Sequence, residues 1–177
     1  SLPLVLFFST LLALAAVARY FLDAVPHIAD ESVYFFQAKI FAAGHLWAPA
    51  PLYPDFFAFE HMIVENGKWF GKYPPLFPLL LSIGVRAGVP WMVNPLIGAL
   101  SGLTLFFLTT RITGSRGSGL LAWLLLLTSP FFLLLNAGMM AHGLALLLTL
   151  LFIHLGWKGL EQNKASWAAL SGLCMGG

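Results

Sequence analysis

The chain has 177 residues, of which 59% are hydrophobic and only 9% charged. That composition belongs to an integral membrane protein and excludes an ordinary soluble domain. Nine basic residues stand against seven acidic ones, thinly spread, so no basic stripe can follow a phosphate backbone and nucleic acid is excluded as a partner.

Residues 2–22 form the first apolar run, long enough for a transmembrane helix. Its Ala15-Ala16-Val17-Ala18 imitates a signal-peptide cleavage site, but the run exceeds a usual signal core and further spans follow. A retained first helix is therefore expected. Immediately beyond it lies Pro26-His27-Ile28-Ala29-Asp30-Glu31-Ser32-Val33-Tyr34, which sets two carboxylates beside the bilayer.

Residues 23–90 read as one long loop, rich in Trp47, Tyr53, Phe56, Phe57, Phe59, Trp69 and Phe70. Loops of this length are usually functional, and the aromatic content predicts short amphipathic helices resting in the headgroup layer. Gly71-Lys72-Tyr73-Pro74-Pro75 closes the polar part. The apolar Leu76 to Val89, holding Pro78 and Arg86, is too short to span and is expected along the interface.

The second span is expected over 91–112, with Asn94-Pro95 starting its helix as an N-cap and a first-turn proline. Third and fourth spans follow over 117–136 and 141–158, and a fifth begins over 165–177. Arg111 and Arg116 lie in one polar break and Lys158 and Lys164 in the next but one, which places both breaks on the cytoplasmic face. The turn between them, with Pro130, Asn136, Gly138 and His142, then faces the other side together with the long loop. The lone Cys174 reads as a small buried hydrophobe. Both chain ends fall in apolar segments, so an N-terminal fragment of a longer protein is expected.

The expected fold is thus all-α, a polytopic membrane domain with a long extracytoplasmic first loop. Several residues there have two readings. Asp30 and Glu31 suit catalysis, but acidic residues also favour the first turn of a helix, where its dipole is positive. Tyr34, one turn on, shares their face or anchors the interface. Lys72 and Arg86 suit an anionic ligand, or snorkel to hold a helix against headgroups, the stronger reading for Arg86. His142 sits at the outer turn facing the loop that bears Asp30. His27 and His61 read as polar surface, His154 as a bond across helices, and Trp123, Met139 and Met140 as packing or lipid contact.

Taken in order, the Asp-Glu-x-x-Tyr motif (Asp30, Glu31, Tyr34), Lys72-Tyr73-Pro74-Pro75-Leu76, an Arg-Gly-rich turn and a Ser129-Pro130 hairpin resemble the N-terminal part of the GT-C glycosyltransferases. The resemblance is nearest to the protein O-mannosyltransferase and aminoarabinose transferase group. It implies transfer of a sugar from a polyprenyl-phosphate donor to a hydroxyl of a lipid, glycan or protein acceptor. The site would face the outside of a bacterial inner membrane, or the lumen of the endoplasmic reticulum, among membrane lipids. Asp30 would be the catalytic base, with Glu31 beside it, and a single displacement would invert the anomeric carbon. Lys72 would meet the donor phosphate, with Tyr34 and Arg86 in reserve, while Tyr73 and His142 line the site.

Two departures stand out: Gly71 precedes Lys72 where the aminoarabinose transferases carry an acid, and His142 stands where an acid is frequent. A divalent metal ion held by Asp30, Glu31 and His142 is the one cofactor candidate. A transporter and a non-catalytic scaffold that binds lipid or a partner stay open as other classes. The transporter is disfavoured because the charges gather in loops.

Overall fold

The computed structural model describes residues 1–176, so Gly177, the end of the expected fifth segment, lies outside the described residues. The elements run α1 (Leu2–Tyr20), α2 (Ala29–Ala42), β1 (Ala48–Pro49), β2 (Met62–Glu65), β3 (Lys68–Gly71), α3 (Leu76–Arg86), α4 (Val93–Thr113), α5 (Arg116–Leu127), α6 (Pro130–Ala137), α7 (His142–Gln162) and α8 (Ala165–Gly176). Among the described residues three helices are long and apolar enough to cross a membrane, namely α1, the α4 segment Pro90–Thr113, and α7. Length and composition thus mark a mainly helical membrane protein.

Small residues let the long helices approach closely. On α4, Gly98 lies against Leu14 of α1, and a Cβ added at Gly102 would come within 3.4 Å of both Thr10 Oγ1 and Trp123. The pairing Leu14 with Gly98 and Thr10 with Gly102 makes α1 and α4 antiparallel. Trp123 Nε1 of α5 donates to Thr10 Oγ1 at 2.9 Å, so a polar pair is satisfied inside an otherwise apolar bundle. Trp123 therefore does more than pack.

The segment expected as a third span, 117–136, is broken into two helices. Helices α5 and α6 meet at 67°, and together they would make a fourth crossing only as a bent pair. The cause is Pro130, which cannot donate to the preceding turn; Ser129 restarts the chain as N-cap, its side chain accepting from Phe132 N at 3.4 Å.

Asn94 is not the N-cap expected of it. Met92 holds that position, after a 3-10 turn over Pro90–Met92, and Asn94 already lies inside α4. Its buried Nδ2 donates to the carbonyls of Gly138 at 2.5 Å and Met140 at 2.8 Å, and more weakly to Leu135. The amide thus secures the irregular α6–α7 turn, whose backbone acceptors would otherwise be unmet at depth.

The long loop is more ordered than short interfacial helices alone. It contains α2 and α3, as expected in kind, and also a three-stranded antiparallel sheet in the order β1-β3-β2, which the periodicity did not predict. The β2–β3 hairpin turns on Asn66-Gly67, both with positive φ (49° and 74°), the two-residue turn whose twist matches paired strands. Gln37 of α2 binds the sheet, its Oε1 accepting from Gly71 N at 2.9 Å while its Nε2 donates to Leu46 O at 3.0 Å. Gly71 is required there, because a Cβ would overlap Val33. One buried cluster, including Tyr34, Ala38, Phe77, Leu81, Ile97, Met140 and Leu144, then joins α2 and α3 to α4 and α7. The loop is docked on the end of the bundle.

Candidate active site at the end of the bundle

The site begins with the first turn of α2. Its N-cap, Ile28, offers no side-chain acceptor, so the acidic residues that follow, Asp30 and Glu31, are what face the positive end of the helix. Adjacent on the helix, they diverge by about a quarter turn. Their fates differ accordingly.

Glu31 turns inward. It is 5% exposed, and its two oxygens accept from His27 N at 2.7 Å and from Met139 N at 3.0 Å. Both lone amides belong to irregular backbone, one before α2 and one in the α6–α7 turn. The side chain is a clasp between two segments and leaves the cleft to its neighbour.

Asp30 stays half-exposed, 35% by side chain, with one oxygen held by the Tyr73 hydroxyl and approached by the His61 imidazole. Tyr73 Oη donates to Oδ1 at 2.5 Å, and His61 Nε2 lies 3.5 Å from the same atom. Among the described residues Oδ2 accepts no hydrogen bond, so one oxygen remains open to a ligand proton. Tyr34 stacks on Tyr73 at 4.6 Å between centroids and meets Phe77 edge-on, which fixes the phenol that fixes Asp30. Burial, the hydrogen bond to Asp30 and the charge of that carboxylate raise the Tyr73 phenol far above its ordinary value, with Tyr34 and Glu60 adding. Burial, then the charge of Asp30, raises Tyr34 as well. Both rings therefore remain neutral hydroxyls at physiological pH.

The cation arrives by hairpin register. Met62 pairs with Gly71 at the open end of β2–β3, so the next residues out, His61 and Lys72, face each other, and Lys72 N donates to His61 O at 3.1 Å. Their side chains also meet, with Lys72 Nζ 2.5 Å from His61 Nδ1 and 5.2 Å above the Tyr73 ring. His61 Nε2 further reaches Glu60 Oε1 at 3.2 Å. Asp30, Tyr73, His61, Lys72 and Tyr34 thus gather in one place.

Other candidates lie elsewhere. Arg86 donates through Nε to Ala42 O at 2.9 Å and through Nη2 to Phe41 O at 3.3 Å, so it caps the C-terminus of α2, where a cation is favoured. His142 is exposed at the start of α7 and makes no hydrogen bond to Asp30 or Glu31 among the described residues. The same residues contain no group of three His, Cys, Asp or Glu side chains poised around a cation, and Asp30, Glu31 and His142 form no ligand set. His154, expected to bond across helices, has a buried Nδ1 without a partner among the described residues.

Two hollows lie along α2, one at the cluster and one away from it. A small one of about 180 Å³ lies between Tyr34, Pro74 and Phe77 on one side and Ala141, Leu144 and Leu148 of α7 on the other. A larger one, about 760 Å³, lies at the other end of α2 among Phe36, Ile40, Ala43, Trp47 and Pro49, and contains none of the predicted site residues. The chemistry and the larger space are separate. His61 escapes sequence reasoning as a site residue because a histidine between Glu60 and Met62 has no motif of its own; the Asn66-Gly67 turn, read as a hairpin, would have placed it opposite Lys72.

No protein-family model, curated protein or solved structure matches the chain.

Proposed function

We propose that the chain belongs to a membrane glycosyltransferase of GT-C type, which moves a sugar from a polyprenyl-phosphate donor to an acceptor hydroxyl. The observation that carries the reading is Asp30, a carboxylate with one oxygen held by Tyr73 and the other open, beside the Lys72 ammonium on the end of an apolar bundle. An acceptor hydroxyl is a weak nucleophile, and an oriented carboxylate within hydrogen-bond reach takes its proton as it attacks the anomeric carbon. The bond to the phosphate breaks in the same displacement, and configuration inverts. The departing phosphate gains charge, which a cation already in place stabilises.

The lipid part of the donor suits a site at a bilayer surface, where the chain can stay in hydrocarbon while the sugar phosphate reaches the polar end. Arg111, Arg116, Lys158 and Lys164 at the opposite ends of the long helices favour, by the positive-inside rule, an orientation with this end outside the cytoplasm, as on the outer face of a bacterial inner membrane. Acceptors of lipid, glycan or protein type are compatible with the hydroxyl chemistry.

The test uses the full-length protein in lipid nanodiscs with a polyprenyl-phosphate sugar and an acceptor alcohol. Transfer by the wild type, abolished in Asp30→Asn with folding and donor binding retained, supports the reading. Undiminished turnover in Asp30→Asn would sink it. Lys72→Ala should raise the donor KM and, because the cation also meets charge that develops as the phosphate departs, lower kcat.

A further inference from the structure

We propose that His61 is a positioning residue that holds the base and the cation in register, using one ring nitrogen for each; this rests on the transferase reading of the site. The ring sits between two groups whose chemistry fixes its tautomer. A lysine ammonium has only hydrogens to offer, so Nδ1, 2.5 Å from Lys72 Nζ, must accept. The ring proton is then on Nε2, which faces Glu60 Oε1 at 3.2 Å and Asp30 Oδ1 at 3.5 Å. Tyr73 closes the remaining side, its ring edge-on to the imidazole at 5.7 Å between centroids. Asp30, Glu60, Lys72 and Tyr73 are the polar and charged groups that surround it.

The backbone gives an independent reason to regard the position as specified. His61 has φ +69°, in the left-handed region, which few non-glycine residues adopt and asparagine, aspartate and histidine adopt most readily. The hairpin supplies the rest: His61 O accepts from Lys72 N at 3.1 Å, so ring and ammonium start from paired backbones and cannot drift apart without opening β2–β3.

Each nitrogen serves a different partner in the one displacement, and the two can be separated by isosteres. Asparagine places an amide oxygen near Nδ1 and preserves the acceptor for Lys72, while glutamine reaches the Nε2 position and preserves a donor for Asp30. The experiment measures kcat and donor KM for His61→Asn, His61→Gln and His61→Ala in the full-length protein, with thermal unfolding as the control for folding. Deleting one polar contact to a charged group predicts up to about a tenfold effect. His61→Asn should lower kcat by about that factor with donor KM near wild type. For His61→Gln the donor KM should rise along with a fall in kcat, because Lys72 loses its acceptor, and His61→Ala should show the largest loss in both. Equal changes in both constants for Asn and Gln would reduce the ring to a packing role and overturn the proposal.

A second measurement does not depend on turnover. Nitrogen-15 NMR of histidine-labelled protein in nanodiscs should show His61 as the Nε2–H tautomer, with the Nδ1 signal moving when Lys72→Met removes its donor. An Nδ1–H tautomer overturns the proposal whatever the activity. The expected tautomer in a protein that transfers no sugar would leave the positioning geometry standing and count against the transferase reading alone.

Discussion

Tyr73 Oη donates to Asp30 Oδ1 at 2.5 Å, joining residues separated by 43 positions in the chain. The hydrogen bond couples a phenol on the loop after β3 to a carboxylate in the first turn of α2, and it has consequences for both. Tyr73→Phe keeps the stacking with Tyr34 and deletes only the donor. A fall in kcat of about tenfold or more is expected, with a loss of about 1 kcal/mol in stability. Unaltered kcat would mean that the carboxylate is positioned by other groups.

The same hydrogen bond sets a pH dependence. The folded-state value of Tyr73 lies well above the ordinary phenol value, through burial first and the Asp30 hydrogen bond and charge next. For a group raised on folding, the stabilisation is complete below the unfolded value, about pH 10, and is lost as pH climbs toward the folded one. Thermal unfolding should therefore become steeply alkali-sensitive above about pH 10, and less so in Tyr73→Phe. In Asp30→Asn the charge and the carboxylate acceptor are gone, so tyrosinate absorbance attributable to Tyr73 should appear at lower pH than in the wild type. Its appearance at the wild-type pH would contradict the assigned causes.

Glu31 makes a different prediction from its neighbour. Its oxygens satisfy His27 N and Met139 N, and removing them leaves two amides without acceptors, one of them buried against the α6–α7 turn. Glu31→Ala should cost about 3 kcal/mol of stability, whereas Glu31→Gln, which keeps one acceptor oxygen, should cost less. Gly138→Ala should damage the same clasp from the other side, because a Cβ there would overlap Glu31 Oε1. Unfolding in nanodiscs measures all three. A Glu31→Gln protein that is fully stable yet inactive would restore a catalytic role to this residue.

Arg86 tests whether a cation near the site must serve the donor. Its guanidinium covers the Phe41 and Ala42 carbonyls at the end of α2, on exposed surface where screening limits the gain. Arg86→Ala should lower stability by about 0.5–1 kcal/mol and leave donor KM unchanged. A raised donor KM with intact stability would move the phosphate contact from Lys72 toward Arg86.

The sequence carried the membrane class and the long helices, because composition and run length report them directly. Asp30 and Lys72 were legible as candidates for the same reason that they cluster: charges in so apolar a chain are few. What remained hidden was tertiary. Glu31 and Asp30 are equivalent in sequence, and only the α6–α7 turn, which lies more than 100 residues away (108 between Glu31 and Met139), draws one inward. Asn94 next to Pro95 has the form of a helix start, yet three carbonyls of a distant turn outcompete the local cap. The sheet is masked in the sequence by aromatic residues that suit a membrane interface equally well, although Asn66-Gly67 between Met62–Glu65 and Lys68–Gly71 is a strong hairpin signal.

The orientation of the site rests on charge placement and has its own measurement. In a Cys174→Ser background, Glu65→Cys sits on the exposed hairpin of the site end and Gly117→Cys on the exposed start of α5 at the opposite end. In intact cells a membrane-impermeant thiol reagent should label position 65 and spare position 117, which should react only after the membrane is opened. The two positions lie at opposite ends because α4 runs antiparallel to α5, with Gly102 against Trp123 and Thr110 against Gly119. Labelling of 117 alone in intact cells would turn Asp30 toward the cytoplasm, where a donor presented on the outer leaflet could not reach it. Labelling of both would show that the α4–α5 hairpin does not cross the bilayer.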